Sequence, residues 1–279
     1  MLRAASVSFA YGSHRVLDEV DVAIAPGALV GILGPNGSGK TTLITVLGGI
    51  ARPARGEVTL DGTTLSRLSR VEIARRMAIV PQDTHLTFDY SVLEVALMGR
   101  YPHLSSFELE GPRDIEIARH ALAATGTSDL EQRSFLSLSG GERQRVVIAS
   151  ALAQLADAEV LTPPPDGRGP SRVLLLDEPT ASLDPAYQLE VADILRELST
   201  RGHLTIAVCT HDLNFAAGLC RELVMLRDGR VIAAGPTDEV LTPETIRRLY
   251  GIDADVQRLA ATGRLSVVPL RRVSAGPGA

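Results

Sequence analysis

Two stretches of this chain carry residue types that could handle a triphosphate. Gly34-Pro35-Asn36-Gly37-Ser38-Gly39-Lys40-Thr41-Thr42 fits the pattern of two glycines separated by four residues, then Lys and Ser/Thr. Such a backbone lets successive N–H groups turn inward around phosphate oxygens. A helix starting at the loop's end adds the partial positive charge of its N-terminus. In that geometry Lys40 reaches the β- and γ-phosphates and the Thr41 hydroxyl meets Mg2+. Composition singles out the same lysine: the 28 basic residues are 27 arginines and Lys40. A compact ammonium on a thin stem is not interchangeable with the broad guanidinium fork. The second stretch, Val173-Leu174-Leu175-Leu176-Asp177-Glu178-Pro179, is an apolar run ending in two carboxylates. Asp177 is suited to hold Mg2+. Glu178 faces a different direction and can polarise an attacking water. Alone, the pair would read equally well as a cap after a buried strand; the phosphate loop favours the chemical reading.

A third glycine-bearing stretch, Leu138-Ser139-Gly140-Gly141-Glu142, precedes a helical pattern over 142–156. It reads either as a Ser N-cap with flexible glycines or as a second helix start fit for an anion.

The elements that must position these residues follow from hydrophobic periodicity and turn signals. Strands are predicted over 2–9, 15–25 and 28–33, the last an apolar run suited to burial on both faces. A helix follows over 40–50, where Gly48-Gly49 could admit another backbone. A hairpin strand over 57–60 turns at Asp61-Gly62. A helix over 71–77 leads to a strand over 78–80 that ends at Pro81-Gln82. Residues 86–156 read as mainly helical, an inserted subdomain. Strand–helix alternation resumes with strands 173–177 and 204–209 and helices 188–200 and 213–221. A hairpin joins 223–227 to 230–234 across Asp228-Gly229. The Pro/Gly-rich stretch 162–171 reads as a surface loop, and the tail after Gly251 holds one possible strand, 265–270. The expectation is an α/β domain over 1–251 and a short C-terminal extension over 252–279.

The 279 residues, 45% hydrophobic, suffice for one large α/β domain. No apolar run approaches the roughly 18 residues of a membrane span, and no signal-peptide core follows the first residues. A net charge of −5 argues against non-specific nucleic-acid binding. Cys209 and Cys220 fit no zinc spacing and read as packing residues.

Taken together, the phosphate loop, residues 138–142 and residues 173–179 resemble the ATP-binding subunit of an ABC transporter. The resemblance covers about residues 2–251, and the stretch 138–142 matches the family's signature motif. It implies a P-loop NTPase core with a mainly parallel sheet, an antiparallel β subdomain and an inserted helical signature subdomain. It implies ATP and Mg2+ as cofactors, with Thr41, Gln82 and Asp177 on the metal. It implies a homodimer in which Ser139, Gly140 and Gly141 contact the γ-phosphate held by the other copy. Tyr11 then stacks on adenine, Gln82 touches Mg2+ and water and senses the membrane partner, and Ser182-Leu183-Asp184 crosses the dimer interface. Glu178 handles the attacking water and His211 bonds the γ-phosphate. The implied partners are membrane-spanning permease subunits and, indirectly, a substrate-binding protein. The implied location is cytoplasmic, peripheral on the inner face of the cell membrane.

Three further stretches resemble importers of iron–siderophore complexes, haem or vitamin B12: Gly99-Arg100-Tyr101-Pro102-His103, Leu183-Asp184-Pro185-Ala186-Tyr187-Gln188 and His211-Asp212-Leu213-Asn214-Phe215-Ala216-Ala217. The Pro/Gly loop sits where haem importers carry an extension, or is a tolerated insertion. Three other classes compete: an ABC-type ATPase acting on nucleic acid or ribosomes, a non-catalytic nucleotide-gated clamp, and a phosphate-loop kinase. The single cassette with an acidic balance, the intact Glu178 and His211, and the signature stretch argue against each in turn.

Overall fold

A computed structural model describes residues 1–84, 86–156, 171–200 and 204–273. In chain order the elements are β1 (Leu2–Tyr11), β2 (His14–Ile24), β3 (Leu29–Leu33), α1 (Lys40–Leu47), β4 (Arg55–Leu60), β5 (Thr63–Thr64), α2 (Arg70–Arg76) and β6 (Met77–Val80). The helical insertion follows as α3 (Val92–Met98), α4 (Pro112–Ala124) and α5 (Gly140–Leu155). Next come β7 (Arg172–Asp177), α6 (Pro185–Thr200), β8 (Leu204–Thr210), α7 (Leu213–Leu219), β9 (Glu222–Arg227) and β10 (Arg230–Pro236). The chain closes with α8 (Thr237–Val240), α9 (Pro243–Tyr250), β11 (Ile252–Arg258) and β12 (Leu265–Arg272).

The central sheet runs β10-β9-β3-β8-β7-β6, parallel except for the β10–β9 hairpin. Every residue of β3 and β8 is buried, which is why these strands read as continuous apolar runs. One face packs on α1 and on the antiparallel sheet β2-β1-β4-β5 through Val30, Ile32, Val173 and Leu175. The other face, through Leu29, Leu33, Leu174 and Leu176, packs on α5, α6, α7, α9 and the β11–β12 hairpin. The helical insertion has its own core around Ile117, Leu122 and Phe135. Helix α5 belongs to both units: Ile148 and Leu155 face the sheet, whereas Val146, Ala149 and Ala153 face the insertion.

Several boundaries differ from the sequence expectation. Helix α1 stops at Leu47, because Gly49 turns to a φ of +73°. Its neighbour Gly48 admits a side chain rather than a backbone: an added Cβ would lie 2.4 Å from Ile79 Cδ1. Helix α6 starts three residues early, at Pro185, since proline is preorganised for a first helical turn. Helices α8 and α9 and strand β11 are additions. The stretch 162–170 lies outside the described residues. Among the described residues no helix is long and apolar enough to cross a membrane.

Candidate functional site: the nucleotide cleft

Strand β3 delivers the chain into the glycine loop, and Gly39 caps α1 with φ +102°, a conformation that side chains disfavour. Lys40 is buried and its ammonium is fully engaged. It donates to the carbonyls of Gly34 at 2.8 Å and Pro35 at 3.3 Å, and lies 3.3 Å from Glu178 Oε1. Three donors on a point charge meet three acceptors, a task the planar guanidinium does not match.

Strand β7 ends at Asp177, and the backbone turns at once: Glu178 has φ +48° and donates its N–H to the Cys209 carbonyl. Positive φ is uncommon outside glycine and here sends the two carboxylates to different partners. Asp177 hydrogen-bonds Thr41. Burial raises the Asp177 carboxyl above its usual range; the Thr41 bond opposes this, the Glu178 charge adds to it and Lys40 offsets part. Glu178, also buried, accepts from the His211 ring at Nδ1, 2.8 Å away, and from the His211 backbone N–H at 3.4 Å. Because a carboxylate only accepts, this pairing places a hydrogen on Nδ1. Lys40, Glu178 and His211 thus form one continuous polar chain between the ends of β3, β7 and β8.

A cleft of about 510 Å³ opens over this chain, lined by His14, Val16, Asn36, Gly37, Gly39, Lys40, Thr41, Thr42, Gln82, Glu178 and His211. Nine of these eleven were singled out from sequence; Ser38 and Asp177 lie buried, and Gly34 and Pro35 supply their carbonyls. His14 and Val16 were missed. They open β2, and only the pairing of His14 with Tyr11 across the hairpin brings them there. Tyr11 itself is 59% exposed, sits edge-on to Phe9 at 4.9 Å, and is not among the lining residues.

The signature residues and the stretch Ser182-Leu183-Asp184 do not line this cleft. Ser139 caps α5 reciprocally with Glu142: Ser139 N–H donates to Glu142 Oε2 at 2.8 Å, and Glu142 N–H to Ser139 Oγ at 3.3 Å. Leu138 is buried beside them. Gly141 lies flat on the Tyr187 ring, where an added Cβ would be 2.4 Å from Cδ1, and Gly140 faces Leu183. These contacts join the signature helix start to the 182–184 turn, where Ser182 also has positive φ.

The family model described as ABC transporter matches residues 17–161. A hemin import ATP-binding protein of Gloeobacter violaceus is 42% identical over 274 residues, 98% of this chain and 96% of that one. The chain belongs to the ABC transporter ATP-binding family. A cobalamin import ATP-binding protein of Halobacterium salinarum is 41% identical over 92% of this chain and 60% of its own longer sequence. Among solved structures, a metal-chelate type ABC transporter in an inward-facing conformation aligns with TM-score 0.80 at 29% identity, over 96% of both chains. A dimeric bacterial ABC transporter cassette aligns with TM-score 0.70 at 27% identity, over 85% of this chain and 99% of that one. As an ABC cassette, this chain binds nucleotide and is an ATPase coupled to transport.

The cassette also suits a hard cation. Asp177 Oδ1 is buried without a hydrogen-bond partner, and Thr41 and Gln82 add neutral oxygens nearby. An all-oxygen set with one carboxylate, completed by phosphate, fits Mg2+.

The stretch 99–103 explains how the helical insertion is fastened to the cassette. Gly99 lies against α5 so closely that a Cβ would sit 2.1 Å from the Ser150 carbonyl. Arg100 is buried and donates from Nη1 to the Ala153 and Ala156 carbonyls, capping the end of α5, and from Nε to Asp114 at 2.9 Å. His103 Nε2 meets the Gln154 carbonyl at 2.8 Å. From the core side, Arg75 of α2 donates to the Pro102 carbonyl, and Gln154 donates to the carbonyls of Ala74 and Met77.

Proposed function

We propose that this chain energises import of a metal-chelate cargo, with haem the first to test and cobalamin or an iron–siderophore complex next. It acts as a homodimer on permease subunits at the inner face of the membrane, fed by a substrate-binding protein. The full-length likeness to a hemin import subunit supports the cargo class. No residue of the nucleotide cleft would touch cargo, so cargo identity rests on the likeness alone.

The observation that carries the catalytic reading is the chain that runs from the buried Lys40–Glu178 pair to the exposed His211 ring at the mouth of the glycine loop. Phosphoryl transfer to water is catalysed mainly by positioning and charge neutralisation. Lys40 and the helix N-terminus take the β- and γ-phosphate charge. Mg2+ held by Thr41, Gln82 and Asp177 would neutralise the phosphate oxygens. Glu178 orients and deprotonates the water, and His211 bonds the γ-phosphate. Ser139, Gly140 and Gly141 of the second copy close on that phosphate, Ser182, Leu183 and Asp184 sit at the shared interface, and Tyr11 flanks the base. Hydrolysis removes the bridge between copies, and the dimer opens.

Glu178→Gln keeps the size of the side chain and removes the base. ATPase turnover is expected to fall about 10²- to 10⁴-fold, and the variant should elute as a dimer with ATP and Mg2+ but as a monomer without. Turnover at the parent rate sinks the assignment of Glu178. Uptake of haem and cobalamin into vesicles reconstituted with the cognate permease decides the cargo.

A further inference from the structure

We propose that the chain from α9 onward is a brace for the His211 segment, with Tyr250 and Asn214 as positioning residues for ATP hydrolysis. The proposal rests on the role given to His211 above.

Helix α9 is anchored by Ile246 and Leu249, both fully buried under the central sheet. It ends at Tyr250, after which Gly251 turns left-handed and starts β11. The Tyr250 phenol reaches back to the nucleotide site. Its hydroxyl donates to the His211 carbonyl at 3.2 Å, and the Gly34 backbone hydrogen-bonds the same phenol. One oxygen therefore ties the first glycine of the phosphate loop to His211. Burial, with the Glu178 and Asp212 charges adding to it, raises the phenol well above its ordinary value, so it remains a donor at neutral pH.

A second contact holds the other side of the same segment. Asp212 caps α7, accepting from the N–H groups of Asn214 and Phe215 at 2.9 Å each. Asn214 then pairs with β12 as a strand would: its Nδ2 donates to the Val267 carbonyl at 3.1 Å, and Val267 N–H donates to its Oδ1 at 2.7 Å. The hairpin is fixed to α9 by Asp253, which lies 3.3 Å from Arg247 Nε and 2.8 Å from Arg271 Nε. Tyr250 and Val267 thus belong to one linked unit, which holds the segment at two points, the His211 carbonyl and the Asn214 side chain. The unit is also docked by apolar anchors, Ile246, Leu249, Ala254 and Val267, buried in the core under the central sheet. The two polar contacts are additional and converge on one segment, whose side chain is on Glu178. Misplacing such a group by about 1 Å costs about 10²-fold in rate.

The test is a double-mutant cycle in the full chain with ATP and Mg2+, read by single-turnover hydrolysis. Tyr250→Phe removes one hydroxyl and keeps the ring and the apolar anchors. Turnover should fall about tenfold, the loss expected for about one hydrogen bond, with KM for ATP within about twofold and an unchanged melting temperature. In a His211→Ala background the same substitution should change turnover less than about twofold, because the group it positions is gone. Asn214→Ala, at a separate site, should behave in the same way. An unchanged turnover in both single variants overturns the proposal, as does an equal loss in the two backgrounds. Parent-level activity of His211→Ala removes the γ-phosphate role given to His211 and the proposal with it.

Discussion

The ion pair of Lys40 and Glu178 is buried on both sides, with side chains 6% and 8% exposed. Removing one partner of such a pair leaves the other charge without compensation and typically costs about 3–5 kcal/mol. Lys40→Met should therefore lower the unfolding free energy by about 3 kcal/mol in urea denaturation, besides abolishing nucleotide binding. Adding Glu178→Gln removes the orphaned charge, so the double variant should recover most of that loss. Equal destabilisation of single and double variants would show that the lysine acts through the Gly34 and Pro35 carbonyls instead. That these residues would be brought together was legible in the sequence because glycine spacing, one lysine and a strand-end Asp-Glu pair are local signals. The left-handed turn at Glu178 was not, since it depends on the Cys209 carbonyl arriving from β8. His14 and Val16 were equally hidden, because their place in the cleft is set by hairpin pairing rather than by motif.

At the scale of elements, α5 runs from the stretch 138–142 at its start to the core at its end. The 99–103 stretch grips that end. Burial alone would raise the Asp114 carboxyl; the Arg100 hydrogen bond and the Gly111 N–H outweigh it and hold it below its ordinary 3.8. A depressed carboxyl contributes stability that is present above its unfolded value and lost as pH falls through the folded one. Protection of the amides in α3 and α4, their exchange relative to the intrinsic rate at the same pH, should thus fall on acidification below about pH 4. Arg100→Met should show faster exchange at neutral pH and lose that acid step. A variant whose exchange keeps the parent's pH profile would mean that Asp114 is held by something other than Arg100. In the sequence this stretch was only a subgroup likeness, because its partners Ser150, Ala153 and Gln154 lie some fifty residues on. Strand β11 was different: Ile252, Ala254 and Val256 alternate with Asp253, Asp255 and Gln257, a period-two signal that the sequence does contain. Helix α9 likewise carries its Thr242 cap and first-turn Pro243, but eight residues give its periodicity little length to show.

At the scale of the whole molecule, the signature start of α5 packs on Leu183 and Tyr187 and is not part of its own chain's cleft. A two-fold axis can present each signature to the partner's phosphate loop, and then each ATP site is built from two copies. This makes a prediction that no single-chain reading shares. Lys40→Ala destroys the loop of its own chain, and Ser139→Arg blocks the signature of its own chain; each homodimer has both sites broken and should be inactive. When the two variants are unfolded together and refolded as a mixture, half of the dimers pair one of each. In such a dimer one site inherits both defects, and the other combines the intact loop of one chain with the intact signature of its mate. Turnover should reappear in the mixture, up to about a quarter of the parent value when sites fire independently and lower when both must close together. A mixture as inactive as its components, with mixed dimers shown to form by differential tagging, would place the loop and signature of one chain on the same nucleotide.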